Sequence, residues 1–217
     1  MSEQRLRARP VLTISNLFRR RLPDLALFVA TLAELIALVL LTPSLTIVDD
    51  VYIVQHLVVL GIALTRPPPA AQDRSLAAAL AVAVSLTYPY AEVICLRMVP
   101  GDEGWFEGGL ALVALAAALS LASLLSIGRH FGLRPALRGL TTSGPYHLVR
   151  HPMYLAYVLG DIGYNLQEWN AGTVLITMLG WASLIYRVHA EERVLAGDLA
   201  WHSYVGTVRY RLLPGVW

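Results

Sequence analysis

Long apolar runs, separated by short polar connections, are the feature that most constrains how this chain can fold. A helix that crosses the hydrocarbon core of a bilayer needs about 20 mostly apolar residues. Six segments approach this requirement, and the fifth is the shortest of them, at about 14 residues. They cover residues 22–41, 47–65, 75–99, 108–127, 153–166 and 171–189. The sequence therefore predicts an all-α fold, a polytopic transmembrane bundle of about six spans with antiparallel neighbours.

The overall composition also indicates a membrane protein. Hydrophobic residues make up 56% of the 217 residues and charged residues only 15%, which is less charge than a soluble domain of this size carries. The net charge of +2 is too small to indicate a nucleic-acid partner. Cys95 is the single cysteine, which excludes an internal disulfide and a multi-cysteine metal site. The first apolar run is too long for the core of a signal peptide, so we interpret it as a retained span.

The basic residues, which are all arginines, predict the orientation of the bundle. With six crossings, every arginine except Arg97 lies at the N-terminus, in the 66–74 or 128–151 loops, or between the last turn of span six and the C-terminus. These regions share one side of the membrane, and the positive-inside rule makes that side cytoplasmic. Both termini are therefore expected in the cytoplasm. The arginine-rich composition and the lack of targeting signals indicate a bacterial inner membrane.

The chain divides into two regions of different character. Residues 1–128 contain the first four spans, which carry few reactive side chains, whereas residues 129–217 are rich in His, Arg, Tyr, Trp and Glu. Function is therefore predicted in the second region, which ends in a cytoplasmic segment.

An Arg-His pair is expected at the start of span five. Gly144-Pro145 makes a turn, and Pro152 fits the first turn of a helix while it disfavours helical geometry at His151. Helix N-termini present free N–H groups that attract anions. Arg150 and His151 are therefore a candidate receptor for a carboxylate or a phosphate.

Two acidic residues are expected beside this pair. Spans five and six are joined by a short connection and form a hairpin, so the end of span six lies near the start of span five. This places Glu191 and Glu192 near Arg150 and His151. Acids that bind an ammonium, beside an Arg-His cluster that holds a carboxylate, would recognise an amino-acid group. The alternative is an i,i+4 pair between Arg187 and Glu191 at the membrane surface.

The sequence does not decide the roles of the other polar residues in the apolar runs. Asp161 forms a helical stripe with Tyr154 and Asn165, which would either line a cavity or make buried hydrogen bonds. Glu34, near mid-membrane, needs a partner or a proton, and His56 lies in span two. For these residues, a substrate contact and a structural contact both remain open.

A metal site is not expected. His147 and His151 are four residues apart, as in many helical metal sites, but Pro152 argues against a helix that includes both, and no third ligand is evident.

Three motifs occur in order along residues 129–217. They are Gly144-Pro-Tyr-x-x-Val-Arg-His-Pro-x-Tyr154, Arg187-x-x-x-Glu191-Glu192 and Tyr204-x-x-x-Val208-x-x-Arg211-x-x-Pro214. Together they resemble the signature of the isoprenylcysteine carboxyl methyltransferase and phospholipid methyltransferase superfamily of integral membrane enzymes.

The resemblance implies an S-adenosylmethionine-dependent methyltransferase that acts on a lipophilic acceptor, a carboxylate, thiol or amine, with membrane lipids around it and no metal. It implies that the upstream spans line a substrate tunnel and that Arg150 and His151 are catalytic. The predicted cofactor-binding residues are Gly144, Pro145, Tyr146, His147, His151, Tyr154, Glu191, Glu192 and Tyr204.

Two alternatives remain open. The tail, with Trp201-x-x-Tyr204 and Trp217, is also similar to that of NADPH-dependent membrane sterol reductases. Those reductases usually have Asn where this chain has Met153, and they lack the Glu-Glu pair, so two of the three motifs favour methyl transfer. The other alternative is a non-enzymatic membrane protein such as a transporter, although the broken helices or paired repeats typical of transporters are not found.

Overall fold

The computed structural model describes residues 14–41 and 47–217, with side chains described for residues 25–40 and 50–217. The arginine cluster of the N-terminus, which contributes to the predicted orientation, lies outside the described side chains. Most of the described chain is α-helical, as the apolar runs predict. Its helices are α1 (Ile14–Leu41), α2 (Ile47–Thr65), α3 (Leu76–Met98), α4 (Phe106–Ile127), α5 (Pro152–Gln167), α6 (Ala171–Leu195) and α7 (Leu199–Thr207).

The first six helices correspond to the six apolar runs, and two differences matter for function. Helix α6 continues beyond the predicted end at residue 189, so Glu191 and Glu192 lie in its last turns. Helix α7, begun by Asp198, whose side chain accepts a hydrogen bond from the backbone N–H of Ala200, was not predicted, because its nine residues carry no strong apolar period.

Three helices of the described chain are long and apolar enough to cross a membrane, namely α3, α4 continued to His130, and α6. Shorter apolar stretches occupy Leu25–Leu40 in α1 and Asp50–Thr65 in α2. Large apolar side chains such as Leu64 and Leu175 point outward, as expected for helices in contact with lipid. The chain is therefore an integral membrane protein.

Short strand pairs tie the helix connections together at both ends of the bundle. Strand β1 (Ala71–Gln72) pairs with β3 (Ala136–Leu137), and β2 (Asp102–Glu103) pairs with β4 (Glu168–Trp169), both antiparallel. The connections after α2 and α4 thus meet at one end, and those after α3 and α5 meet at the other. We call the first end the site end, because α5 begins there and α6 ends there.

The closest helix packing lies between α4 and α5. A side-chain carbon added at Gly163 would come within 2.8 Å of the Gly109 carbonyl oxygen, and one added at Gly109 within 2.5 Å of the Gly163 carbonyl oxygen. Small residues allow such close backbone approach, which is a main source of helix association in membranes. On the next face, Ser183 of α6 donates to the carbonyl of Ala81 of α3 at 2.8 Å.

The polar stripe of α5 faces neighbouring helices. The Asp161 carboxyl group accepts hydrogen bonds from the Tyr88 hydroxyl at 3.0 Å and from the Trp181 indole N–H at 2.8 Å. Asn165 donates to the Thr177 hydroxyl at 3.0 Å, and Thr177 in turn donates to the Glu92 carboxyl group. Asp161 and Asn165 also line an open groove between α5 and α6. The two roles considered for this stripe therefore coexist, and its hydrogen bonds join α3, α5 and α6.

The partly exposed Glu34 of α1 faces a partner on α2. Its carboxyl oxygen lies 3.6 Å from Nε2 of His56, while Nδ1 of that ring lies 2.6 Å from the Tyr52 carbonyl oxygen. Because a carbonyl oxygen can only accept, Nδ1 is the donor to Tyr52, and Nε2 faces the Glu34 carboxyl group. This contact links α1 to α2.

The packing of α4 against α5 predicts that a larger residue at position 163 lowers the stability of the protein. Gly163→Ala should destabilise the protein by about 1–3 kcal/mol, because the new methyl group would overlap the α4 backbone. The measurement is the thermal unfolding temperature of the purified protein in detergent.

Gly61→Ala is the matched control, since Gly61 lies in helix α2 with no atom within 4 Å of an added side-chain carbon. It should leave the unfolding temperature unchanged or raise it slightly through helix propensity. Equal stability of the two variants would contradict the packing assigned to α4 and α5.

Candidate functional site

The segment before α5 makes a sharp turn that places Arg150 and His151 at the helix start. Gly144 opens a short 3₁₀-helix (Gly144–His147) with φ +59°, a conformation that favours glycine. Pro152 occupies the first turn of α5, and His151 stands at the N-cap with φ −130°. The sequence predicts this arrangement correctly, because proline restricts both its own backbone and that of the preceding residue.

Glu192 lies at the centre of the charged cluster and accepts from two arginines. One carboxylate oxygen receives Nη1 of Arg150 at 2.7 Å, and the other receives Nε of Arg211 at 2.9 Å, with Nη2 of Arg211 at the same distance. The Glu192 side chain is only 12% exposed, so these charge-assisted bonds are shielded from water. They join the end of α6 to the start of α5 and to the C-terminal tail.

His151 and Tyr154 hold the neighbouring carboxylate. The Tyr154 hydroxyl donates to Glu191 at 2.5 Å, and Nδ1 of His151 lies 3.6 Å from the other oxygen. Nε2 of His151 lies 3.4 Å from Glu192. Burial by itself lowers the pKa of His151. The hydrogen bonds and charges of the two glutamates raise the pKa by more than burial lowers it, so the pKa lies above the usual value. The imidazolium form is therefore favoured between the two acids.

The C-terminal tail closes over the start of α5. The backbone N–H groups of Arg150 and His151 donate to the carbonyls of Tyr210 and Arg211, each at 2.9 Å. These N–H groups precede the first turn of the helix and have no partner within it, so the tail satisfies them.

The Tyr204 side chain joins helix α7 to the 3₁₀-helix. The Tyr204 hydroxyl donates to the Tyr146 carbonyl at 2.6 Å. Burial raises the pKa of Tyr204 to about 12, which keeps this hydroxyl protonated as a donor. Trp201 and Val208 pack with Tyr204 in a small apolar cluster.

A cavity of about 790 Å³, its open mouth included, lies under these elements at the site end of the bundle. Its aromatic lining consists of Tyr146, Tyr154, Trp201 and Tyr204, together with Phe131. Apolar side chains from the bundle complete the wall. The ionisable lining residues are His130, Arg134, Arg138, Arg150, His151, Arg187 and Glu191. The cavity is thus aromatic, predominantly cationic, and in contact with the apolar bundle.

The predicted site residues divide into two groups around this cavity. Those that line it are Tyr146, Arg150, His151, Tyr154, Glu191 and Tyr204. Glu192 lies behind this wall and fixes Arg150 and Arg211, while Gly144 and Pro145 form the turn. The His147 side chain is exposed and contacts the Gly144 carbonyl, away from the lining. No group of three or more potential metal ligands occurs among the described residues.

Several residues of the site have no role in the prediction from sequence. Arg187 belongs to a quoted motif but was considered only as a surface partner of Glu191, whereas it is buried with 6% exposure. Arg211 also belongs to a motif, and its ion pair with Glu192 depends on the path of the tail. The 130–141 segment has no periodic pattern, so its contribution to the cavity could not be read from the sequence.

Comparisons with known proteins agree with the motifs. A profile of the phospholipid methyltransferase family matches residues 105–198, which include α4, α5 and α6. The match therefore begins upstream of the motifs, in α4, the helix that packs most closely on α5. The last motif, in the tail, lies beyond its end.

Two curated plant proteins are similar to this chain, both from Arabidopsis thaliana. Protein-S-isoprenylcysteine O-methyltransferase A is 27% identical over 126 residues, which are 54% of this chain and 62% of that protein. Protein-S-isoprenylcysteine O-methyltransferase B is 26% identical over 122 residues, or 52% and 58% of the two chains. The matched region thus spans about three-fifths of each relative. The motifs, the family match and these relatives thus all make the chain similar to the membrane methyltransferases that include the phospholipid and isoprenylcysteine methyltransferases.

Proposed function

We propose that this protein transfers a methyl group from S-adenosylmethionine to a lipophilic acceptor that reaches the cavity from the bilayer. The observation that carries the proposal is the convergence of all three motifs on one cavity. Tyr146 and His151 come from the first, Glu191 from the second and Tyr204 from the third. A merely structural use of these motifs would not require that they surround an open space.

The cavity residues fit the proposed cofactor. Its positively charged amino and sulfonium groups suit a carboxylate such as Glu191 and aromatic faces such as those of Tyr154 and Trp201. Its adenine ring suits the same aromatic surfaces. When bound, the cofactor supplies an activated methyl group, so that the protein mainly positions the reactants and excludes water.

The residues at the start of α5 prepare the site for such a ligand. His151 and Tyr154 fix the Glu191 carboxylate through the contacts described above, which leaves it oriented without a ligand. Glu192 keeps Arg150 at the cavity wall. Preorganised groups of this kind lose little freedom when the ligand binds, and this favours affinity.

The apolar wall supports access for a lipophilic acceptor. Met153 packs with Ile62 and Leu124 in a cluster that leads from the cavity into the bundle. Ile127, at the end of α4, also lines the cavity. An acceptor with a hydrocarbon chain would lie along these side chains while its polar group faces Arg150. A carboxylate or thiolate acceptor needs no general base, and an amine acceptor would pass a proton to a group at the cavity.

We further propose six crossings, with both ends and the site on the cytoplasmic side of a bacterial inner membrane. The paired strands support the alternation of helix directions, since the connections after α2 and α4 meet at one end and those after α3 and α5 at the other. The arginine distribution supports the orientation. Helix α5, with 16 residues, would cross as a short span packed on α4.

Cofactor binding tests the proposal directly. The purified protein should bind S-adenosylmethionine and not NADPH in isothermal titration calorimetry. His151→Ala and Glu191→Gln should each weaken this binding about 10- to 100-fold, because each removes a charged contact of about 1.5–3 kcal/mol. Binding of NADPH alone would instead favour the reductase, and binding of neither cofactor would favour a non-enzymatic membrane protein.

His202→Ala is the control for these variants, since His202 is exposed on α7, outside the cavity lining. It should bind S-adenosylmethionine as the wild type does. Unaltered affinity in both site variants would contradict the assignment of His151 and Glu191.

Cysteine labelling tests the topology. In a Cys95→Ser background, Thr142→Cys and Asp102→Cys each place one thiol on an exposed residue at opposite ends of the bundle. A membrane-impermeant maleimide applied to intact cells should label the cysteine at position 102, and the cysteine at position 142 only after lysis. Labelling of both in intact cells, or the reverse pattern, would overturn the proposed orientation.

A further inference from the structure

Helix α5 is short for a membrane span, and this sets the depth at which it begins. Its 16 residues rise about 24 Å at 1.5 Å per residue, whereas the hydrocarbon core of a bilayer is about 30 Å thick. Elements that surround the start of α5 therefore lie at the edge of the apolar layer. One of them is the tail segment (residues 209–217), because its Tyr210 and Arg211 carbonyls accept from the N–H groups of Arg150 and His151.

The inner side of the tail segment packs at the level of spanning residues. Leu212 is buried with Leu184 and Val188 of α6, and Trp217 packs against the same cluster. Leu184 lies about 16 Å along the helix axis from the last residue of α6, at 1.5 Å per residue. The tail segment therefore runs back beside the apolar part of α6 and does not extend away from the membrane.

The irregular backbone of the tail segment is hydrogen-bonded within the segment. The N–H groups of residues 211–213 donate to the main-chain oxygen of Trp217, at 2.9–3.2 Å. Those of Val216 and Trp217 donate to the Leu213 carbonyl, at 3.1 and 3.2 Å. Backbone polar groups at membrane depth must be satisfied within the protein, because the hydrocarbon offers no partner. The hydrogen bonds of the tail segment meet this requirement.

The outer side of the tail segment exposes apolar side chains. Leu213 is 43% exposed and Val216 is 76% exposed, and Leu148, shortly before α5, is 61% exposed. Arg209 and Tyr210 are exposed at the other end of the segment. Tyrosine is enriched at the membrane–water interface, and arginine can keep its stem in the apolar layer and its charge in water. The exposed side chains therefore change from interfacial to apolar along the segment.

We propose that the tail segment binds phospholipids of the leaflet at the site end of the bundle. Leu213 and Val216 contact the acyl chains, and the guanidinium group of Arg209 binds a head-group phosphate through charge-assisted hydrogen bonds. Tyr210 lies beside it at the level of the head groups. The inference goes beyond the proposed function, because it concerns the contact of the protein with the membrane and requires no methyl transfer.

Lipid contact at the tail segment would also support the site. Arg211 of the segment donates to Glu192, and the Arg209 carbonyl accepts from Nη2 of Arg150 at 2.7 Å. Lipids that hold the segment in place therefore also hold these contacts at the start of α5.

Spin-label accessibility tests the lipid contact. In a Cys95→Ser background, Leu213→Cys and Val216→Cys each carry a nitroxide label, and the protein is reconstituted in vesicles of phosphatidylcholine and phosphatidylglycerol. Electron paramagnetic resonance with power saturation measures the collisions of each label with oxygen, which concentrates among acyl chains, and with a water-soluble nickel chelate. Both labels should collide with oxygen and lose nearly all collisions with the nickel chelate.

Three further positions calibrate the measurement. Leu175→Cys reports lipid, since Leu175 is 65% exposed on the outer face of α6. Thr142→Cys reports water, since Thr142 is an exposed polar residue of the connection before α5. Arg209→Cys should collide with the nickel chelate more often than the two apolar positions do, because it lies at the level of the head groups.

Two results would overturn the proposal. Collisions with the nickel chelate at positions 213 and 216 that are as frequent as at position 142 would place the segment in water. Labels shielded from both reagents would instead show that protein covers this face, such as a second copy of the chain. Both substitutions are at exposed positions and leave the backbone hydrogen bonds in place, and the vesicles contain no cofactor, so a failure of the proposed methyl transfer would not affect the result.

Discussion

The Glu192 carboxylate is the interaction on which the site most depends. It joins three parts of the chain that are distant in sequence, because it belongs to α6 and accepts from Arg150 at the start of α5 and from Arg211 in the tail. Its burial keeps solvent and salt from weakening these bonds. Without it, two neighbouring guanidinium groups would repel each other, and the tail would lose its anchor over the first turn of α5.

The position of this cluster follows from the constraints of a membrane bundle. Charged groups are costly inside a bilayer, so they collect where helices begin and end. The α5–α6 hairpin brings one such beginning and one such end together. The close contact of Gly109 with Gly163 then fixes α5 against α4, which sets where the cavity opens relative to the apolar wall. Glycines near the opposite end of the bundle and charges at the site end therefore both fix the position of α5.

The two acidic residues of the site have different tasks. Glu191 faces the cavity and is held by Tyr154 and His151, so it can meet a ligand. Glu192 lies behind the cavity wall and organises the arginines. Adjacent residues on an α-helix point in directions about 100° apart. Glu191 and Glu192 are therefore identical neighbours that serve separate roles. Arg187, one turn earlier on the same helix, lies on the face of Glu191 and lines the same cavity.

The sequence by itself determined the helical membrane fold, the approximate ends of α2 to α5, and the start of α5 at Pro152. These features depend on local properties, namely apolar run length and the restricted backbone of proline. It also predicted that Glu191 and Glu192 meet Arg150 and His151, because a short hairpin leaves no other arrangement. Only the tertiary structure decided which of these residues face the cavity. The burial of Arg187, the partner of Arg211 and the lining from residues 130–141 depend on contacts between distant segments, and no local pattern encodes such contacts.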